Sequence, residues 1–344
     1  MALYQVDRGA EAYPPFPQEH HGIVWRQLDA RDLHALSALF ARMEARDNPP
    51  YRTALAEVEE MLSPASLWWG IAAFATKGIA QGRMVAFAQT RLRFSERIEC
   101  VCQGGVDPDF RRIGLGSSLL EWQIAAARSM LERNEDNGQR AIVSFVENWQ
   151  DELENALKAR GFHWERTYYD LRAKLDPLPQ APSLGSYITI EQWSPSWDDE
   201  LRRAANLIAQ QQGRAALTEE QWTMGRSSFA PDWSYIAVDL RSDRPRIAGF
   251  TLVSKYEQDW PALGWKEGYI DHIGVGDEWR NTPVLDALVV ASMHAQARDG
   301  MDLIATGIAQ TEGSATLSVF EYLGFRVVGQ QRLYAIDIPD ISQA

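Results

Sequence analysis

Val106-Asp107-Pro108-Asp109-Phe110-Arg111-Arg112-Ile113-Gly114-Leu115-Gly116-Ser117-Ser118-Leu119-Leu120 is the stretch that decides the fold of this chain. An extended apolar run, Ile98 to Val106, ends in Asp-Pro. A basic pair follows, then Gly-Leu-Gly, then an amphipathic helix in which Leu120, Ile124, Ala127 and Leu131 form an apolar stripe. A strand that feeds a glycine loop into a helix start builds an anion site. The first amides of the helix have no intrahelical partner, and the helix dipole favours negative charge there. Gly114 and Gly116 lack a Cβ, so the backbone can come close to a phosphate.

Spacing decides which phosphate ligand fits. A Walker A loop needs Lys before the Ser, whereas Ser117 follows Gly116. A dinucleotide fingerprint needs a third glycine where Leu119 stands. Arg111-Arg112-Ile113-Gly114-Leu115-Gly116 instead resembles the Arg/Gln-x-x-Gly-x-Gly/Ala loop of the GCN5-related N-acetyltransferases. The resemblance extends to the preceding Val106-Asp107-Pro108 and to Arg160-Gly161-Phe162, which closes the next helix. It implies that the amides of this loop and first turn, from Arg111, Arg112 and Ile113 through Gly114, Leu115, Gly116, Ser117 and Ser118, hold the pyrophosphate of acetyl-CoA. It also implies that pantetheine pairs with the end of the strand before the loop, Gln103-Gly104-Gly105-Val106, where two glycines leave a thin wall for a ligand. A β-bulge in a bent strand would use the same glycines.

At 344 residues the chain suggests two domains, and 45% hydrophobic content with thirteen Trp suffices for well-buried cores. No apolar run reaches the length of a membrane span, and Met1 to His21 has no signal-like core. The two cysteines, Cys100 and Cys102, lie two apart on one strand, poorly placed for a bridge and suited to burial as small hydrophobes. A cytoplasmic protein, monomer or homodimer, is expected. The net charge of −13 argues against nucleic acid and is compatible with a cationic amine as substrate. His20-His21 is a weak metal signal without partner ligands, and no metal is expected.

The chain repeats itself. Val106-Asp107-Pro108-Asp109-Phe110-Arg111 matches Val275-Gly276-Asp277-Glu278-Trp279-Arg280 at an offset of 169, and Gly161-Phe162 matches Gly324-Phe325 at 163. Elements of matching type surround both markers, which is the signature of a duplication. The expected fold class is α/β with mixed sheets: two tandem acetyltransferase-like domains, each a central mixed sheet flanked by helices. The first spans 1–176, a Pro- and Gly-rich linker spans 177–186, and the second spans 187–344. The copies differ chemically. Pro283 stands at the place of Gly114 and Leu285 at that of Gly116, with Thr282-Pro283 reading as an ordinary helix start. The second loop is therefore expected to be a structural helix cap, with acetyl-CoA binding lost or much weakened.

Acetyl transfer to an amine also needs proton-transfer groups. Many members of the resembled family carry a general-acid Tyr four residues before the Gly of Gly-Phe; here Leu157 and Phe320 occupy those positions. The candidate substitutes are Glu99 on the strand leading to the loop, Glu147 at the end of the next strand, and Tyr168 (with Tyr169) on the terminal strands. Asp47-Asn48-Pro49-Pro50-Tyr51 is a turn-rich loop where relatives form the acceptor mouth, and Glu57, Glu59 and Glu60 follow it. Asp271 and His272 could line a cleft in the second half. The reading is an acyl-CoA-dependent N-acyltransferase acting on a small-molecule amine. The alternative is a CoA-binding sensor or scaffold, and a nucleotide-dependent phosphotransferase is disfavoured by the missing Lys and third glycine.

Overall fold

The computed structural model describes residues 13–19, 22–64, 66–94, 97–134, 138–211, 216–223, 226–310 and 316–339. His20 and His21 lie outside them. The chain divides into two compact units: Met1–Glu165 with Arg332–Ala344, and Arg166–Gln331.

The first unit runs β1 (Ile23–Gln27), α1 (Leu33–Asp47), α2 (Leu55–Met61), β2 (Trp68–Ala75), β3 (Met84–Phe94), β4 (Ile98–Val106), α3 (Leu115–Glu132), β5 (Arg140–Glu147) and α4 (Asp151–Lys158). Its strands lie in the order β1-β2-β3-β4-β5; β1 to β4 are antiparallel neighbours, and β4 runs parallel to β5. Strand β2, Trp-Trp-Gly-Ile-Ala-Ala-Phe-Ala, is apolar on both faces because helices cover both. The buried stripe of α3 comprises Leu115, Leu119, Leu120, Trp122, Gln123, Ala126, Ala127, Met130 and Leu131, so Ile124 falls at its margin. Helix α1 packs Leu36 and Leu39 against Phe87 and Met84 in a second apolar cluster. Two-sided coverage of this kind buries Ile71, Ala72, Ala86 and Phe87 fully.

The second unit repeats the scheme with β7 (Ile188–Gln192), α5 (Asp198–Gln211), α6 (Glu219–Thr223), β8 (Tyr235–Asp239), β9 (Arg246–Ser254), a short α7 (Trp260–Leu263), β10 (Glu267–Val275), α8 (Val284–Arg298), β11 (Leu303–Gln310) and α9 (Thr316–Tyr322). Its strands lie in the order β7-β8-β9-β10-β11, with β10 and β11 parallel.

The repeat survives in individual bonds. Asp107 N donates to Val85 O (2.8 Å), as Gly276 N does to Ala248 O (3.0 Å). Arg83 pairs with Asp109 and lies over Phe110, as Arg246 pairs with Glu278 and lies over Trp279. Gly161 and Gly324 both take left-handed φ values (87° and 92°) at helix ends, and the following Phe donates back to Leu157 O and Phe320 O. This C-cap is what the Gly-Phe markers encode.

The last strands do not follow the linear order. Strand β6 (His163–Lys174) pairs antiparallel with β11 from Thr167 to Lys174 and from Arg166 onward belongs to the second unit, where Leu171 and Ala173 join the core. Strand β12 (Arg326–Ile338) neighbours β5, and its Tyr334, Ile336 and Ile338 pack in the first core. Each unit is thus completed by the terminal strand of the other half of the sequence. A boundary drawn at 176 assigns residues 166–176 to the first domain, whereas the compact units place them in the second.

Candidate cofactor site

Strand β4 pairs with β3 along its whole length, up to Val106 opposite Ala86. Its pairing with β5 stops at Cys102 opposite Ser144. Residues 103–106 and 145–147 therefore diverge, and the β5-facing edge of Gln103–Val106 is left without a strand partner. Immediately beyond, Asp107 is 1% exposed and acts as a hub. It accepts from Arg42 Nε at 2.6 Å and from its own turn at Asp109 N (3.1 Å), and Arg83 Nε lies 3.6 Å away. These bonds fix the end of β4 to α1 and β3.

The loop then reverses through two left-handed residues, Arg112 (φ 67°) and Gly114 (φ 92°), which flank Ile113. A positive φ is costly for an arginine, and such strain concentrates where backbone must present a ligand. Gly114 is the N-cap of α3, with no side-chain cap. The first helical bond is Ser118 N to Gly114 O at 3.1 Å, and the amides of Leu115, Gly116 and Ser117 find no acceptor among the described residues. A Cβ on Gly114 or on Gly116 would meet nothing within 4 Å. Uncapped amides, an aligned dipole and open space above both glycines fit a phosphate group. Ser117 is exposed there, whereas Leu115 points inward and is buried.

Four expectations about neighbouring residues change. The guanidinium of Arg111 is engaged by both Asp47 oxygens (2.7 and 2.6 Å) and its Nε donates to Val106 O (3.1 Å), so it ties the end of α1 to the loop. The Asp47 carboxylate raises its pKa above the ordinary arginine value. Arg112 pairs with Glu152 in an exposed contact, which is worth little. Gly104 and Gly105 do not leave a thin wall. A Cβ on Gly104 would stand 2.8 Å from Phe87 O and 3.2 Å from Gln123 Nε2, and one on Gly105 would collide with Met43 Sδ. Close packing, with β3 and α3 on one face and α1 on the other, is what requires these glycines.

The proton-transfer candidates separate. Glu99 is 3% exposed at the closed end of β4, opposite Arg93, and is held by Arg93 (2.5 Å) and Arg97 (3.4 Å). It sits before the last paired residue rather than in the divergence, and its two guanidinium partners give it a structural role. Glu147 does reach the diverging end of β5, half-buried, with its amide donating to Gln150 Oε1 (3.0 Å). Tyr168 and Tyr169 lie on β6 opposite Ala309 and Ile308, inside the second unit. Leu157 and Phe320 are fully buried core residues. Cys100 and Cys102 are buried, and burial pushes the Cys102 thiol up to about 12. Among the described residues no group of His, Cys, Asp and Glu could hold a metal, and no helix is long and apolar enough to cross a membrane.

The second unit keeps the divergence but starts its helix differently. Strand β10 pairs with β9 up to Val275 but with β11 only to Ile270 opposite Thr306. Asp271 sits at a bulge there, accepts from Tyr256 Oη (3.0 Å), and is pushed up by desolvation. In place of the open glycines, Pro283 precedes the helix and Leu285 packs against the core. The hydroxyl of Thr282 bonds back to Trp279 O (2.6 Å) and does not cap α8. Asp239 (1% exposed) accepts from Arg241 and from Trp279 Nε1 (2.9 Å), closing this end with ion pairs.

Arg42 and Met43 escaped the sequence reading of this site, as did the parts that Asp47 and Asp107 play in holding the loop. Their contacts with the loop span about sixty residues of chain, and no local pattern announces them.

No family model and no curated protein sequence matches the chain. Solved structures do. A GCN5-related N-acetyltransferase from Sphaerobacter thermophilus superposes with a TM-score of 0.69 at 19% identity, over 95% of this chain and 98% of that one. A tandem GNAT protein from the clavulanic acid biosynthesis pathway does so at 0.66 and 16%, over 92% and 98%. Saccharomyces cerevisiae N-myristoyltransferase, solved with bound myristoyl-CoA, gives 0.60 and 12% over 94% and 80%. At these identities the likeness is one of fold. The chain has the fold of the GCN5-related N-acetyltransferases, carried as two such units in tandem.

Proposed function

We propose that this protein is an acyl-CoA-dependent N-acyltransferase, using acetyl-CoA, in which the first unit holds the cofactor and the second has lost that capacity. The observation that carries this is the uncapped start of α3, with open space over Gly114 and Gly116, beside the diverging ends of β4 and β5. The amides of Leu115, Gly116 and Ser117 take the pyrophosphate, and the free edge of Gln103–Val106 takes the arm. Bound acyl-CoA supplies an activated thioester. The chain supplies binding and orientation, which by themselves account for a large part of such a rate. The acceptor is a small-molecule amine, and the acidic charge of the chain favours a cationic one. The sequence repeat is 1–176 and 187–344 around a linker at 177–186, with terminal strands exchanged after duplication. A cytoplasmic monomer or homodimer, with no nucleic-acid partner, completes the reading.

A second reading, a CoA-binding sensor, is favoured by one observation: Leu157, Phe320 and the locked Glu99 leave Glu147 as the remaining acidic candidate at the divergence. Calorimetry with CoA, acetyl-CoA and ATP, followed by thiol release against a panel of amines, tests both. Binding of CoA with turnover supports the transferase. Binding without turnover of any amine supports the sensor, and a response to ATP alone overturns both.

A further inference from the structure

We infer that Met43 is the side chain that sets how long an acyl group the first unit accepts; this rests on the reading of that unit as an acyl-CoA site. The cradle amides lie past the end of β4, and the unpaired edge Gln103–Val106 runs from there to the last paired residue, Cys102. A ligand whose phosphates rest on the cradle and whose arm follows that edge brings its acyl group to the floor of the divergence, beside Gln103–Gly105.

The two faces of β4 differ at that floor. On the α3 face, Gln123 Nε2 donates to Gln103 O (2.8 Å) and Gln89 O (3.3 Å), and with Phe87 O it closes the space over Gly104. On the α1 face Met43 lies directly on Gly105: a Cβ there would collide with Sδ and stand 2.8 Å from Cε. The Phe87 ring follows at 3.4 Å, but it is fully buried, whereas Met43 is half-buried. An unbranched thioether with solvent beside it can change rotamer where a buried ring cannot. Met43 is therefore the movable part of this wall.

The second unit provides an internal contrast. Gly274, the counterpart of Gly105, is covered by Phe250 (2.8 Å) and Ile208 Cδ1 (3.6 Å). Ile208 and Phe250 are 4% and 5% exposed. The unit without a phosphate cradle has a branched, sealed wall, and the unit with one has a flexible, partly exposed side chain at the same place.

Replacing Met43 with Ala removes Cγ, Sδ and Cε and opens room for a few methylenes. The test is calorimetry of wild type and Met43→Ala with free CoA, acetyl-CoA, butanoyl-CoA and hexanoyl-CoA. Wild type should favour acetyl-CoA over hexanoyl-CoA, and Met43→Ala should shift that ratio by about tenfold toward hexanoyl-CoA, the scale of burying about two methylenes. Met43→Val, a milder truncation, should shift it the same way by less, and it serves if the alanine variant does not fold. An unchanged ratio in the folded variant overturns the assignment of Met43 while leaving the cofactor site standing. Wild type that fails to bind even free CoA removes the site and the assignment together.

Discussion

Gly116 and Leu285 stand at matching positions of the two loops, one under open space and the other packed into a core. Making the first like the second, Gly116→Leu, should abolish the cradle without disturbing the fold, since its Cβ meets nothing. CoA affinity should drop by more than ~10-fold, as lost charge-assisted hydrogen bonds of ~1.5–3 kcal/mol require, with the melting temperature unchanged. Equal affinity would mean that the phosphates bind elsewhere. Asp47 offers a subtler case, because it occupies the guanidinium of Arg111. Asp47→Asn should free that charge and tighten CoA binding by about 0.5–1 kcal/mol at low salt, less at high salt. Weaker binding would show instead that the carboxylate orients the arginine. The thiols report on pH. Burial holds Cys102 up at about 12 and raises Cys100 well above its ordinary value, whereas unfolded thiols ionise near ~8.5. The folded state keeps protons that the unfolded state releases, so this contribution is fully present at neutral pH and is lost as pH rises from about 8.5 toward 12. Urea titrations should show Cys100→Ala/Cys102→Ala losing less stability than wild type between roughly pH 8 and pH 10. Parallel curves would place the thiols in contact with solvent.

Among elements, the strand-loop-helix around Gly114, the α3 stripe and both Gly-Phe caps were legible because each is written in consecutive residues: a positive φ, a missing Cβ, a helical spacing. The terminal strands were not. His163–Lys174 reads as a strand from its own composition, but whether it pairs with β5 or β11 depends on residues far along the chain. Glu99 misled for a related reason. Its position on β4 is local, while its partners Arg93 and Arg97 and the point where β4 leaves β5 are matters of register. The exchanged strand is itself testable. Tyr334 of β12 is 2% exposed, donates to Glu154 of α4 at 2.5 Å, and shares the core with Leu157 and Phe162. A fragment holding residues 1–176 lacks Tyr334, Ile336 and Ile338 and should fail to fold cooperatively, as judged by near-UV circular dichroism. Cooperative melting of that fragment would show that its core closes without β12.

The molecule as a whole carries two copies of one architecture, of which one opens its helix on uncovered glycines and the other on Pro283. Acetyl-CoA should titrate to one strong site per chain, and two equal sites would contradict the loss assigned to the second unit. The strand exchange has a further consequence, for synthesis. A ribosome making this chain releases β1 to β5 early, but residues 332–338, which finish that sheet, lie downstream of the entire second unit. At ~5–20 residues per second, the first unit waits many seconds with an uncovered β5 edge, a hazard for mispairing. Nascent chains stalled before β12 should therefore engage chaperones. Loss of that strand through a premature stop would leave no half-working protein behind, only a target for proteolysis.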